Sequence, residues 1–404
     1  MSNGLRAIKK ITDFELAGQV VFLRLDLNVP LEDGRITDET RITASLPTIK
    51  YALEKGAKLV LASHLGRPKS AEDKEFSLEP VAKRLTELLG VEVILMEEPN
   101  SDAVKSQLIG PMKNQIILLE NVRFEPGETK DSEEFATVLA SYSDIYINDA
   151  FGASHRAHAT IHALPNLMQK KGIGFLIEKE ITMLDQLIDH PKRPYIAILG
   201  GSKVSDKIGV IEKLLDIVDG FAIGGAMAYT FLKAMGQPVG KSRVEEDKIK
   251  YAKEMIGRIE ARNKSLLLPV DHVVATSLTD KNARVVSSIG ENDMGLDIGP
   301  KTVASFATMI KSAGTIFWNG PMGVFETEEF SKGSFAVAKA IAESSGIKIV
   351  GGGDSAAAAE ASGYANQMTH ISTGGGASLE YLQGDKLPGL EVLRDRRAMK
   401  AGLL

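Results

Sequence analysis

Histidines and arginines collect where short apolar runs end. Asp26 and Asn28 close QVVFLRLDLNV, His64 and Arg67 stand in SHLGRP, Asn121 and Arg123 in ENVRF, and His155, Arg156 and His158 in ASHRAHA. Such a set is basic and imidazole-rich in a chain whose net charge is -5. Arginine offers paired donors that match both carboxylate and phosphate, so the set suits a small substrate carrying both groups. Each member also has a plainer reading. Arg24, Asp26 and Asn28 share one face of an extended strand at i, i+2 and i+4, which is also what a polar face with an Arg–Asp pair would show. Arg41 opens the helical stretch RITASLPTIKYALEKG and can equally be a surface charge. Convergence favours the chemical reading, because four separate strand ends deliver donors to one edge, which surface charges have no reason to choose.

The second half of the chain carries glycine instead of charge. GGSKVSDK (200 to 207), the pair at 224 and 225, NGPMGVFE (319 to 326), GGGDS (351 to 355) and TGGGAS (373 to 378) all follow apolar runs or precede helical ones. Glycine after a strand lets backbone N–H groups approach phosphate oxygens, and a helix starting there adds the positive end of its dipole. Lys203 and Lys207, four apart, are expected on one helical face flanking a polyphosphate, the alternative being a solvated pair. Asp354 has two open readings, an N-terminal cap for the alanine-rich helix behind it or a single carboxylate for Mg²⁺ beside nucleotide phosphates. GQPVGKS (236 to 242) imitates a phosphate-binding loop, but only three residues separate Gly236 from Gly240 where that loop needs four. AMAYTFLKAM before it is helical in spacing, so this stretch reads as a helix end and a turn.

These residues must be positioned by something regular. Apolar runs such as KLVLASHL, QIILLENV, DIYINDAF, PYIAILGG, DGFAIGG, SLLLPVDHVV, GTIFWNGP and IKIVGGGDS alternate with helical patterns such as LEPVAKRLTELLG and KTVASFATMIKSAG. Alternation of this kind predicts α/β architecture, with doubly wound parallel sheets covered by helices on both faces. Ligands then bind beyond the carboxyl ends of the strands, where both residue sets stand. A length of 404 residues suggests two such domains. The stretch GFLIEKEITMLDQLIDHPKRP, read as a long amphipathic helix ending at Pro191, marks the junction, giving an N-terminal domain over 1–188 and a C-terminal domain over 189–387. With 44% hydrophobic and 25% charged residues the composition is that of a globular protein. The absence of cysteine removes disulfides, thiol nucleophiles and thiolate metal sites, and fits a cytoplasmic location. No apolar leader or membrane-length run appears, and no Lys/Arg stripe with interleaved aromatics suggests nucleic acid. No heptad pattern argues for assembly, and a monomer is expected.

The stretches RLDLNVP, SHLGRP, ENVRF, HRAHA, GGSKVSDKI, WNGPMGVFE, GGGDS and TGGGASLE, in this order, resemble those of the phosphoglycerate kinases. The resemblance spans the chain from about residue 19 to LPGLEVL near its end. It implies a glycolytic phosphotransferase that moves a phosphoryl group reversibly from 1,3-bisphosphoglycerate to ADP, giving 3-phosphoglycerate and ATP with Mg²⁺. On this resemblance Asp26, Leu27, Asn28, Arg41, His64, Leu65, Gly66, Arg67, Arg123 and Arg156 would hold the phosphoglycerate. The nucleotide would lie against Gly201, Lys203, Lys207, Gly225, Asn319, Pro321, Gly323, Val324, Glu326, Gly352, Gly353, Asp354 and Ser355, with Asp354 serving the metal and Glu326 the ribose. Arg41, Lys203, Gly375 and Gly376 would attend the transferring group. The segment from about 388 to 404 would pack back on the first domain. Ser202 and Ser355 stand where alanine and threonine are frequent in the family. A non-catalytic binding or scaffold protein on the same fold is the alternative, and it predicts loss of Arg41, Lys203 or Asp354, all of which are present. Two substrates on two domains also imply closure, about a hinge near residues 174–192, to bring reacting atoms within about 3.5 Å.

Overall fold

The computed structural model describes residues 4–109 and 115–395. Two compact units divide the chain, one made of residues 4–182 with 386–395 and the other of 183–385.

The first unit is built on six parallel strands, β1 (Val20–Leu25), β2 (Lys58–Ala62), β3 (Val93–Met96), β4 (Ile116–Leu119), β5 (Ile145–Asp149) and β6 (Lys171–Ile173), in the order β3-β4-β2-β1-β5-β6. β1 is buried on both faces except at Val20, as a parallel strand covered on both sides must be. The connection from β1 runs towards β2 and that from β5 towards β6, so the loops after these neighbours diverge. That divergence opens a crevice at their carboxyl ends, between Leu25 and its register partner Asp149. Helices α1 (Thr40–Glu54) and α2 (Glu79–Leu89) share the core with this sheet, and α3 (Phe175–Ile188) begins in this unit and runs past Thr182, the end of its first segment. α2 is stopped by Gly90 in the left-handed conformation.

The second unit repeats the plan. β7 (Tyr195–Leu199), β8 (Gly220–Ile223) and β9 (Ser265–Leu267) run outward to one side. After a three-stranded antiparallel sheet of β10 (His272–Ala275), β11 (Arg284–Val286) and β12 (Met294–Ile298), the chain returns to β13 (Thr315–Asn319), β14 (Ile347–Val350) and β15 (His370–Ile371). The parallel order is β9-β8-β7-β13-β14-β15, with the reversal between β7 and β13. Helices α4 (Ile208–Leu215), α5 (Met227–Ala234), α6 (Pro300–Lys311), α7 (Lys332–Glu343), α8 (Gly353–Ala361) and α9 (Gly376–Gln383) connect and cover the strands.

Three expectations need correction. β1 stops at Leu25, so Asp26 and Asn28 lie in the loop beyond it and do not continue a strand face with Arg24. SLLLPVDHVV is two strands in two sheets, because Pro269 supplies no N–H to continue a ladder. The antiparallel sheet was not foreseen, its short strands having no helices between them. The GQPVGKS stretch, by contrast, is the turn expected, with α5 ending at Ala234 and Gly236 at φ 77°.

Residues 386–395 join the first unit through Gly389, whose N–H donates to the Ser154 carbonyl at 2.9 Å and whose carbonyl accepts from Asn148 Nδ2 at 3.2 Å. Arg394 donates to the carbonyls of Arg6 at 2.5 Å and Gly4 at 3.0 Å. The expectation for 396–404 lies outside the described residues.

One carboxylate ties three elements together. Asp149, at the end of β5, accepts from the Thr48 hydroxyl of α1 at 2.6 Å and from the amides of Leu176 and Ile177 at 2.9 and 3.1 Å, so it caps α3 from outside. Thr48 Oγ1 in turn accepts from the Phe175 amide at 3.0 Å. Burial pushes Asp149 up to about 7 against the pull of these donors. A carboxyl that binds its proton more tightly when folded contributes stability that is complete below about pH 4 and lost as pH rises through about 7. Asp149→Ala is therefore expected to destabilise the first unit by roughly 2–4 kcal/mol at pH 5, from orphaned donors, and by less at pH 8. Urea unfolding at the two pH values measures this, and an equal loss at both would contradict the shift.

Candidate active site

The loops at the carboxyl edge of the first sheet are cross-tied. Leu27 N–H donates to Ser63 Oγ at 2.8 Å, Leu65 N–H to Asn121 Oδ1 at 3.1 Å, and Asn121 Nδ2 back to the Leu65 carbonyl at 2.7 Å. Gly66 is held at both ends, its N–H by Asn28 Oδ1 at 2.8 Å and its carbonyl by Arg123 Nη1 at 2.6 Å. A Cβ here would meet the Phe76 ring at 2.3 Å, and φ is +58°, so glycine is required. Arg41, second residue of α1, pairs with Asp26 at 2.6 Å. The Arg–Asp pair suggested by the sequence thus exists, with Arg41 and not Arg24 as its cation.

Electrostatics shows how close the remaining cations are. Arg123 is pushed down to about 10, first by burial and then by Arg24 and Arg156, with Arg67 adding to the effect. His64 is held well below the ordinary histidine value by burial and then by Arg24, Arg123 and Arg41. His158 is lowered to about 4 by burial, Arg123 and Arg24. Arg67 and Arg156 are exposed, and Arg156 Nε donates to His155 Nε2 at 3.2 Å. Asp26, Asn28, Arg41, His64, Leu65, Gly66, Arg67, Arg123 and Arg156 are therefore brought to one edge. Mutual repulsion between cations stores a preference for an anion among them.

A buried polar layer beneath this edge escaped the sequence reading. Arg24 is 1% exposed, and Glu128, which accepts from the Thr160 amide and hydroxyl at 2.9 and 2.7 Å, is fully buried. Glu128 stands in the short helical turn Pro126–Thr129 of FEPGETK, where no local pattern distinguishes it from a surface acid.

In the second unit two adjoining depressions lie at the carboxyl ends of β7, β13 and β14. The first, of about 260 Å³, is lined by Gly201, Lys203, Lys207, Asn319, Gly352, Gly353, Asp354, Ser355, Gly375 and Gly376. The second, of about 380 Å³ and largely apolar, is lined by Gly225, Pro321, Gly323, Val324 and Glu326 together with Tyr229, Leu278, Met294 and Leu296. Gly201, Ser202 and Asp354 border both. Gly225 has φ +65°, and a Cβ on it would meet the Gly201 amide nitrogen at 2.5 Å, so the glycine pair at 224 and 225 serves loop-to-loop packing. Asn319 donates to the Gly351 carbonyl at 2.5 Å and accepts from Lys207 Nζ. Ser355 accepts from the Gly320 amide at 2.5 Å and donates to the Gly351 carbonyl at 2.9 Å. Lys207 is lowered by burial, with Asp206 and Asp354 opposing.

Two local expectations fail. Lys203 precedes the 3-10 turn Ser205–Lys207, so the two lysines line one depression without sharing a helix face. The turn is held from outside by Glu245, which accepts from the Val204 amide at 2.5 Å and the Ser205 hydroxyl at 2.6 Å, a partner 40 residues away that no local motif reveals. Asp354 does not cap α8, since Gly352 holds the N-cap position and Asp354 lies exposed in the first turn. No group of three or more His, Cys, Asp or Glu suited to a metal occurs among the described residues. Two exposed carboxylates, Asp206 and Asp354, border this lysine-lined, glycine-lined depression; so few protein oxygens suit a cation held mainly by ligand phosphates, and Mg²⁺ fits them.

A family model described as phosphoglycerate kinase matches residues 11–385. The phosphoglycerate kinase of Bdellovibrio bacteriovorus is 72% identical over 98% of this chain and 100% of its own, and that of Clostridium botulinum is 51% identical over 96% and 99%. The structure of phosphoglycerate kinase from Coxiella burnetii superposes with a TM-score of 0.87 at 40% identity, covering 96% of this chain and 98% of that one. The two doubly wound sheets agree with the solved relative's fold, and the chain belongs to the phosphoglycerate kinase family.

Proposed function

We propose that the protein catalyses reversible phosphoryl transfer between 1,3-bisphosphoglycerate and ADP, and that the two residue sets divide the work by substrate. The cationic edge binds the phosphoglycerate, with Arg67, Arg123, Arg156 and His64 on its phosphate and Asn28, Arg41 and the Leu27, Leu65 and Gly66 backbone around its carboxyl end. The 260 Å³ depression takes the nucleotide phosphates and the apolar one takes the nucleoside, with Glu326 at the ribose. What carries this reading is the contrast between the two sheets: one gathers cations at its carboxyl edge, the other gathers glycine amides around two lysines.

In the forward direction the bond from phosphorus to the acyl oxygen breaks, the carboxylate leaves as an anion, and a terminal phosphate oxygen of ADP forms the new bond. The acid is already ionised at neutral pH in the reverse direction, so no general base is required. Catalysis then rests on position and on charge placed against the equatorial oxygens of a loose transition state. Arg41 from the first unit and Lys203 from the second supply that charge, with Gly375 and Gly376 amides as further donors. Asp354 would hold Mg²⁺, which when bound neutralises nucleotide phosphate charge. Because these groups belong to separate units, both ligands together must draw the units close enough to react.

No described helix is long and apolar enough to cross a membrane. The reading extends to a cytoplasmic monomer acting on small molecules. No observation favours a non-catalytic scaffold.

Turnover of ATP measured by a coupled assay is expected only when 3-phosphoglycerate and Mg²⁺ are both supplied. Equal hydrolysis without the acid would exclude the reaction. Arg41→Ala is expected to lower kcat by about 10³-fold or more with an unchanged circular dichroism spectrum, and near-normal turnover would remove Arg41 from the transfer step. X-ray scattering should record a smaller radius of gyration with both ligands than with either alone, and an unchanged radius would reject closure.

A further inference from the structure

Arg24 makes contacts that packing alone does not require. Its side chain lies beneath the cationic edge, with Nε donating to Thr160 Oγ1 at 2.7 Å, Nη1 to the Leu25 carbonyl, and Nη2 directed at His64 Nδ1 at 3.3 Å. A guanidinium keeps its protons and has no lone pair to offer, so it can only donate. His64 Nδ1 must therefore accept. A neutral imidazole carries one proton, and with Nδ1 accepting, that proton belongs on Nε2. A proton on Nδ1 would instead set N–H against N–H in a buried place.

The surrounding charges act in the same direction. His64 is buried and faces Arg24, Arg123, Arg41 and His158, each of which opposes a second proton on its ring. The nearby carboxylates are engaged elsewhere. Asp26 is paired with Arg41 at 2.6 Å, and Glu128 accepts from Thr160 while standing 3.9 Å from Arg24. Burial raises the Glu128 carboxyl against the pull of Arg24 and Thr160; it is the acid that faces Arg24 under the edge, and it also lies 4.0 Å from His158 Nδ1.

We infer that Arg24 is a positioning residue that holds His64 as the neutral tautomer protonated on Nε2, so that the ring presents one fixed N–H donor to the anionic acid. This rests on the proposed binding of phosphoglycerate at the cationic edge. A purely structural Arg24, serving Thr160, Leu25 and Glu128, would leave the tautomer of His64 unset. The consequence is functional: the acid meets a donor whose geometry and charge do not change across about pH 5 to 8, where an ordinary histidine would switch. Pre-set donors lose less on binding than groups that must first choose a protonation state.

The test uses the full-length wild-type chain with ¹⁵N-labelled imidazoles, and His64 is assigned by the signals lost in His64→Gln. We expect a pyrrole-type Nε2 and a pyridine-type Nδ1, unchanged from about pH 5 to 8. A proton on Nδ1, a tautomer mixture, or titration near 6.5 overturns the inference. Saturating 3-phosphoglycerate is expected to shift the Nε2 signal, and the right tautomer without that shift overturns the donor role. The double variant Arg24→Gln/Glu128→Gln removes both buried charges together. In it His64 should become a mixture of the two neutral tautomers and the KM for the acid should rise about 3- to 10-fold, the worth of one hydrogen bond, with the KM for ATP unchanged. Should that variant fail to fold, the wild-type spectrum still decides. Calorimetry of wild type with 3-phosphoglycerate separates the two levels: no binding would defeat the proposed function, whatever the tautomer.

Discussion

Parallel pairing of neighbouring strands whose connections leave in opposite directions is the constraint on which the rest depends. In the first sheet this occurs between β1 and β5, and in the second between β7 and β13. The loops beyond such a pair cannot cover one another, so a crevice opens at the carboxyl ends. Leu25 opposite Asp149, and Leu199 opposite Asn319, mark the two places. Residues that follow these positions reach the crevice whatever else the chain does, and both candidate ligand-binding sets follow them.

The two crevices solve the problem of holding anions differently. The first uses side-chain cations crowded together, and burial, with mutual repulsion added to it, lowers the affinity of Arg123 and His64 for protons. A buried layer of Arg24, Glu128 and Thr160 supports it, and burial of those charges is tolerable because each is hydrogen-bonded or paired. The second uses backbone, with glycines so close that a single Cβ at Gly225 would strike Gly201. Its side chains, Asn319 and Ser355, mainly stitch the loops after β13 and β14 to each other and steady Lys207. Rigid loops keep amides aimed at a phosphate without the entropy cost of ordering side chains.

Much of this is legible in the amino-acid sequence. Strand and helix alternation, the two doubly wound sheets, and the decoy nature of GQPVGKS follow from local spacing. So does the gathering of Asp26, His64, Arg123 and Arg156 on one edge, because strand direction alone puts strand ends there. The place of Arg24 beneath the edge is not legible in the sequence, because burial has no signature in an alternating polar pattern at a strand end. Glu128 and Glu245 were passed over because each acts on partners tens of residues away, Thr160 and Val204. Lys203 and Lys207 were assigned a helical face because a spacing of four fits a helix as well as it fits a turn that precedes one.

The amino-acid order by itself determined which elements form and which edge of each sheet carries chemistry, since periodicity and strand polarity are local properties. It also determined the family, through motifs whose residues are adjacent in the chain. Only the tertiary structure decided which cation pairs with Asp26, which nitrogen of His64 faces an arginine, and which distant carboxylate holds each loop. Those are choices among partners of equal chemistry, and distance in the folded chain is what selects between them.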